Sequence, residues 1–151
     1  MNFLKVVLFS ILVLSQPSLA AQQNEEQVYI DVIKSFRLRN QLALRKHVDI
    51  LLKEYPKSSY ADNAIYLRGQ AMMQNRQYTE AIREFQKIGD LYPRSNKMVS
   101  ALFSKAQAYR KLSLYDVSEK TFKQIKKQYP GSPEAERCDL ELKLIEVQKA
   151  G

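Results

Sequence analysis

Tyr55-Pro56-Lys57-Ser58, Tyr92-Pro93-Arg94-Ser95 and Tyr129-Pro130-Gly131-Ser132 are three versions of one stretch, spaced 37 residues apart. Each can stop one helix and start another. Proline disfavours a helical conformation in the tyrosine before it and brings no N–H to a helical ladder. The serine two places later is a good cap for the next helix. A fixed period of this size marks a stacked repeat.

Side chains follow the same period. It pairs Ala64 with Ala101, Tyr66 with Phe103, Ala71 with Ala108, Tyr78 with Tyr115, Phe85 with Phe122 and Ile88 with Ile125. Stepping backwards gives a weaker match at Tyr29, Leu44, Val48 and Leu51; stepping forwards gives Cys138 and Leu140. The expected architecture is therefore all-α: a degenerate helix pair, two clear pairs and a lone C-terminal capping helix.

Taken in order, the polar stretch from Ala21 to Glu26 should be frayed. Helices are expected over 27–38, with Tyr29, Ile33 and Phe36 on one stripe, and over 41–54, with Leu44, Val48, Leu51 and Leu52 inward. Ser59 and Asp62 have the spacing of a capping box for a helix reaching Gln74. Its partner spans 78–91, with Ala81, Ile82, Phe85 and Ile88 inward. The third pair covers 96–112 and 115–128. Pro133 suits the first position of a last helix, to about Lys149, carrying Leu140, Leu144 and Val147. That last stripe either caps the third pair or stays open as a docking face. Turns at Arg39-Asn40, Asn75-Arg76-Gln77 and Ser113-Leu114 are short enough only for antiparallel helices. Seven helices in a right-handed stack result, with repeats at about 27–58, 59–95 and 96–132.

The first twenty residues read differently. A basic start at Lys5, an apolar run from Val6 to Leu14, the break at Ser15-Gln16-Pro17 and small residues at Ser18 and Ala20 have the layout of a secretory signal peptide cleaved after Ala20. The apolar run falls short of the roughly 20 residues that span a bilayer. A lipid anchor would need a cysteine at residue 21, which is Ala21, so the exported chain (21–151) is expected to be soluble and periplasmic. Formal charge is +8 for the whole chain and about +7 without Lys5. Such a surface suits an acidic protein or anionic lipid, with nucleic acid excluded by export. Cys138, the single cysteine, occupies the small-residue position of Ala64 and Ala101, and burial there competes with pairing between chains.

The pattern Ala64-Ile65-Tyr66, Gly69-Gln70-Ala71, Tyr78-Thr79-Glu80-Ala81, Phe85 and Tyr92-Pro93-Arg94-Ser95 resembles the tetratricopeptide repeat. It is similar to an exported branch that includes the C-terminal domain of the periplasmic Tol-Pal-associated cell-division coordinator and the BamD-type lipoproteins of outer-membrane β-barrel assembly. The resemblance covers about 28–149. It implies an α-solenoid whose concave face, lined by the first helix of each pair, binds a protein segment in the bacterial envelope.

Carried onto this chain, the lining stripe is Tyr29, Ile33 and Phe36, then Tyr66, Gln70 and Met73, then Phe103, Gln107 and Arg110. Tyr66 and Phe103 are equally suited to the core. No constellation for catalysis stands out. His47 is the only histidine and lies far along the chain from Cys138. Glu80, Glu84 and Asp90 have helix-surface spacing and read as solvated. Lys120, Lys123, Lys126 and Lys127 read as a solvated helix face or as a contact for an acidic partner. The expectation is a non-catalytic scaffold without cofactor or metal. It serves Tol-Pal and cell division, or else barrel assembly, self-assembly or, least of all, an enzyme as its subunit.

Overall fold

The computed structural model describes residues 19–150 as seven α-helices: α1 Leu19–Arg37, α2 Gln41–Glu54, α3 Ala61–Gln74, α4 Tyr78–Leu91, α5 Met98–Lys111, α6 Tyr115–Gln128 and α7 Pro133–Ala150. The expected signal peptide lies outside the described residues except for its last two, which open α1. The stretch expected to fray is helical instead. Its alanine, two glutamines and two glutamates are good helix formers, and α1 simply continues through them.

Each Tyr-Pro junction ends its helix as the residues predict, but only one of the three serines caps the next. Tyr55, Tyr92 and Tyr129 share one conformation, with φ near −129, −132 and −133° and ψ of 61, 58 and 53°. Their N–H groups still reach Leu51, Ile88 and Ile125, and Ser58, Ser95 and Ser132 then donate back to the three tyrosine carbonyls. Only Ser132 is a true cap, its Oγ accepting from Ala135 N at 3.1 Å. Ser58 and Ser95 instead accept from Tyr60 N and Lys97 N, only two residues on. An extra turn therefore precedes α3 and α5, and the Ser59–Asp62 capping box does not form. Asp62 takes the N–H of Asn63 and the hydroxyl of Ser95 instead.

The turns inside the pairs are also copies. Arg39, Arg76 and Ser113, again 37 apart, have φ of 54, 59 and 60°. The residue after each donates five positions back: Asn40 to Ser35, Gln77 to Met72 and Leu114 to Tyr109. This is the helix-ending motif that normally places glycine in the left-handed position. Arg76→Gly and Ser113→Gly should each raise stability by about 0.5 kcal/mol, because relief of a cost of about 1 kcal/mol exceeds the added freedom of the unfolded chain. Urea titration of the two variants against wild type measures this.

The core is assembled pair by pair. Val32, Leu44, Val48, Leu51 and Ala64 form the first cluster, and Ile65, Ala81, Phe85, Ile88 and Ala101 the second. Phe103, Ala106, Phe122, Ile125, Ala135, Cys138 and Ile145 form the third. Each cluster takes both helices of a pair and the first helix of the next, so no pair buries its apolar face alone. Gly69 lets α3 and α4 approach: a Cβ there would lie 2.6 Å from the Phe85 ring. On α7 the inward residues are Ala135, Cys138, Glu141 and Ile145. Leu140, Leu144 and Val147 point outward, so of the two readings of that stripe the open face is the one observed.

Candidate functional site: the row of first helices

Helices α1, α3, α5 and α7 lie side by side, and the stripe residues stand where neighbouring members meet. A constant offset joins them. Asn63 Nδ2 donates to the Tyr29 hydroxyl, Gln70 Nε2 to Ser104 Oγ at 2.7 Å, and Gln107 Nε2 to Glu141 Oε1 at 2.6 Å, each across 34 residues. The offset is one period less one helical turn. The first helix of a pair thus meets the next first helix a turn lower.

The sequence-predicted residues separate on this geometry. Tyr29 is half-buried and stacked on Tyr60 with ring centroids 4.4 Å apart. Ile33 is half-buried and borders an open depression of about 400 Å³ with Ile30, Lys34, Arg37 and Leu38. Phe36 packs beside the first core cluster. Tyr66 leans on Phe85 and accepts from Gln70 at 2.9 Å. Met73 packs against the second cluster. Phe103 is only 2% exposed and packs edge-on against Phe122, with the Arg137 guanidinium over its other side. It belongs to the core and lines no surface, because Phe122 and the Arg137 side chain of α7 enclose its ring, whereas the residue one period before Arg137 is the shorter Ser100. Gln107 and Arg110 both reach Glu141 on α7, and Arg110 also reaches Gln148. The face is therefore a braced surface whose polar groups hold the stack together.

Two features were not foreseen. Glu84, read as solvated, is buried: Arg68 donates to it through Nε at 2.9 Å, and Lys87 Nζ lies 2.6 Å away. Arg68 also reaches Asp49 at 2.6 Å, so one guanidinium ties α2, α3 and α4. Glu141 is the other buried carboxylate. The 34-residue offset would have pointed to Ser104 and Glu141 as partners of Gln70 and Gln107. Glu84 had no such signal.

Electrostatics elsewhere fit a helical surface. Lys123 pairs with Glu119 and Lys126 with Asp139, while Lys120 and Lys127 are exposed. The Lys123 and Lys149 ammonium groups bring the Glu119 carboxyl down to about 2. Burial pushes the Cys138 thiol up to about 11, and Sγ donates to the Glu134 carbonyl at 3.2 Å. His47 shares a hydrogen bond with Ser35, on helices that do not touch α7. No helix among the described residues is long and apolar enough to cross a membrane.

The family model of the tetratricopeptide repeat matches residues 63–95 and 100–132. Both matches end on the serine of a Tyr-Pro-x-Ser stretch, and each takes in one helix pair. The fold is a tetratricopeptide-repeat solenoid. Such repeats are protein-interaction scaffolds, and here they present the row of first helices as one continuous face. A search among curated protein sequences gives no match.

Proposed function

We propose that the chain is an exported, non-catalytic scaffold of the bacterial envelope that holds a segment of another protein on its row of first helices. The observation that supports this reading is the half-buried mixed stripe of Tyr29, Ile33, Tyr66, Gln70 and Met73, running into the apolar depression on α1. Aromatic and aliphatic anchors with one oriented amide, that of Gln70, suit a helix or extended peptide. Phe103 supports that face from beneath. Export rests on the leader-like first twenty residues, and the Tyr-Pro-x-Ser repeat resembles those of the Tol-Pal coordinator. Work in Tol-Pal and cell division is the preferred setting, with barrel assembly the alternative. An acidic partner segment would suit the basic surface, and cofactor or metal has no part in the mechanism.

The test is affinity capture from detergent-solubilised envelope, comparing wild type with an Ile33→Glu/Met73→Glu variant whose melting is checked first. A discrete protein retained by wild type and reduced at least tenfold by the variant is the expected result. Fractionation of the producing cells should place the chain in the periplasm, beginning at Ala21. A captured protein indifferent to both substitutions would move the site off this face, and a cytosolic chain starting at Met1 would sink the envelope assignment.

A further inference from the structure

We propose that a second copy of this chain stacks on the open end of α7, so that the row of first helices continues from one molecule into the next. Leu140, Leu144 and Val147 occupy on α7 the positions that Tyr29, Ile33 and Phe36 hold on α1. In each earlier pair one of those positions is bonded to the next first helix, 34 residues on: Tyr29 to Asn63, Gln70 to Ser104 and Gln107 to Glu141. On α7 nothing among the described residues meets them. Leu140 is 64% exposed, Leu144 38% and Val147 71%.

The other faces of the two end helices are closed. Val32, Gly69 and Ala106 face the second helix of their own pairs, and the residue in that register on α7 is the exposed Lys143. Ala64, Ala101 and Cys138 are buried against the preceding second helix, and their counterpart on α1 is the exposed Gln27. Both ends are therefore polar toward a second helix and apolar only along the row of first helices.

The repeat also says what fits there. Carrying the 34-residue offset past Leu144 and returning by four periods lands on Ile30, and from Leu140 on Glu26. Ile30 is 46% exposed and borders the depression on α1 with Ile33 and Leu38. Among the described residues, α1 thus presents the kind of helix face that α7 leaves unmet. This contact is head-to-tail, joining two different patches, so it leaves a free end on each copy and does not close on itself. The junction takes the Ile30 side of the depression into which the partner stripe runs, so a docked copy and a bound segment reaching Ile33 compete for it.

Leu144→Lys and Ile30→Lys each put a charge at the centre of the proposed junction without touching the core. Sedimentation velocity of the full chain over a concentration series should show a wild-type mass that keeps rising, and single-copy mass for either variant with thermal melts unchanged. Mixing the two variants should restore association but stop it at two copies, because each supplies the one intact end the other lacks. Wild type remaining a single copy throughout would overturn the proposal, as would association that survives both substitutions. Loss with Leu144→Lys but not Ile30→Lys would overturn it too, since the stripe would then be pairing with itself, with residues 1–18 or with another face.

Discussion

Arg68→Ala is expected to destabilise the solenoid by about 3 kcal/mol or more, the cost of removing one partner from a buried ion pair. Its guanidinium is 8% exposed, as is the side chain of Glu84, and the 2.8 Å approach of Nη2 to Oε2 accompanies the Nε bond. Lys87 remains beside Glu84 after the substitution, so the carboxylate keeps a weaker, half-exposed partner. The loss is set by the vacated space between three helices together with the broken charge pairing. Replacing both members by leucine should recover most of the loss, because two apolar side chains need neither desolvation nor a partner. Lys105, one period later, is the internal control. It sits in the same register but reaches only Gln86, near the Tyr109 ring, at a partly exposed position. Lys105→Ala should cost no more than about 1 kcal/mol. Urea unfolding of the three variants decides the matter: equal losses at 68 and 105 would show that packing of the long aliphatic stem, not the buried pair, governs both positions.

That contrast explains how much could be read in the chain. Apart from the start of α1, which lies at Leu19 and not near Gln27, the period of 37 and the Tyr-Pro dipeptides located the helix ends to within a few residues, because proline acts on its own neighbour and needs no tertiary context. Ala64, Ala101 and Cys138 share a register, so the burial of the cysteine followed from the packing of the alanines. Glu84 did not follow. A carboxylate at helix-surface spacing is normally solvated, and only the approach of Arg68 from α3 and Lys87 from its own helix permits burial. Gln70, Gln107 and Arg110 suit a groove by residue type, since a core seldom takes them. They are half-buried because each has a partner across the junction: Ser104 for the first and Glu141 for the other two. Polar character distinguished the row of first helices from the core. It could not distinguish a side chain waiting for a ligand from one already bonded to the next repeat. Phe103 shows the reverse: its aromatic character suited either surface or core, and the cover of Arg137 over a ring already packed on Phe122 decided for the core.

Glu141→Ala should act on one helix, not on the whole stack. Glu141 accepts from Gln107 at 2.6 Å and from Arg110 at 2.9 Å, and the Arg110 and Glu141 side chains are each about a tenth exposed. Removing the carboxylate leaves a guanidinium facing a cavity, at a cost of about 3 kcal/mol. In a solenoid that cost falls on the affected junction, since each unit packs only on its neighbours. Helix α7 packs on α5 and α6 alone, so it can lift while the first two pairs stay folded. Cys138 reports the lifting. It is fully buried beneath α7 and its thiol is pushed up to about 11, so in wild type a thiol reagent at pH 8 must wait for α7 to open. A loss of about 3 kcal/mol on that opening should speed labelling by about a hundredfold. Arg68→Ala, at the far junction, should speed it much less while destabilising the whole by a similar amount. Labelling that rose equally in both variants would mean that the solenoid opens as one unit, and that Glu141 is no more a clasp for α7 than any other buried group.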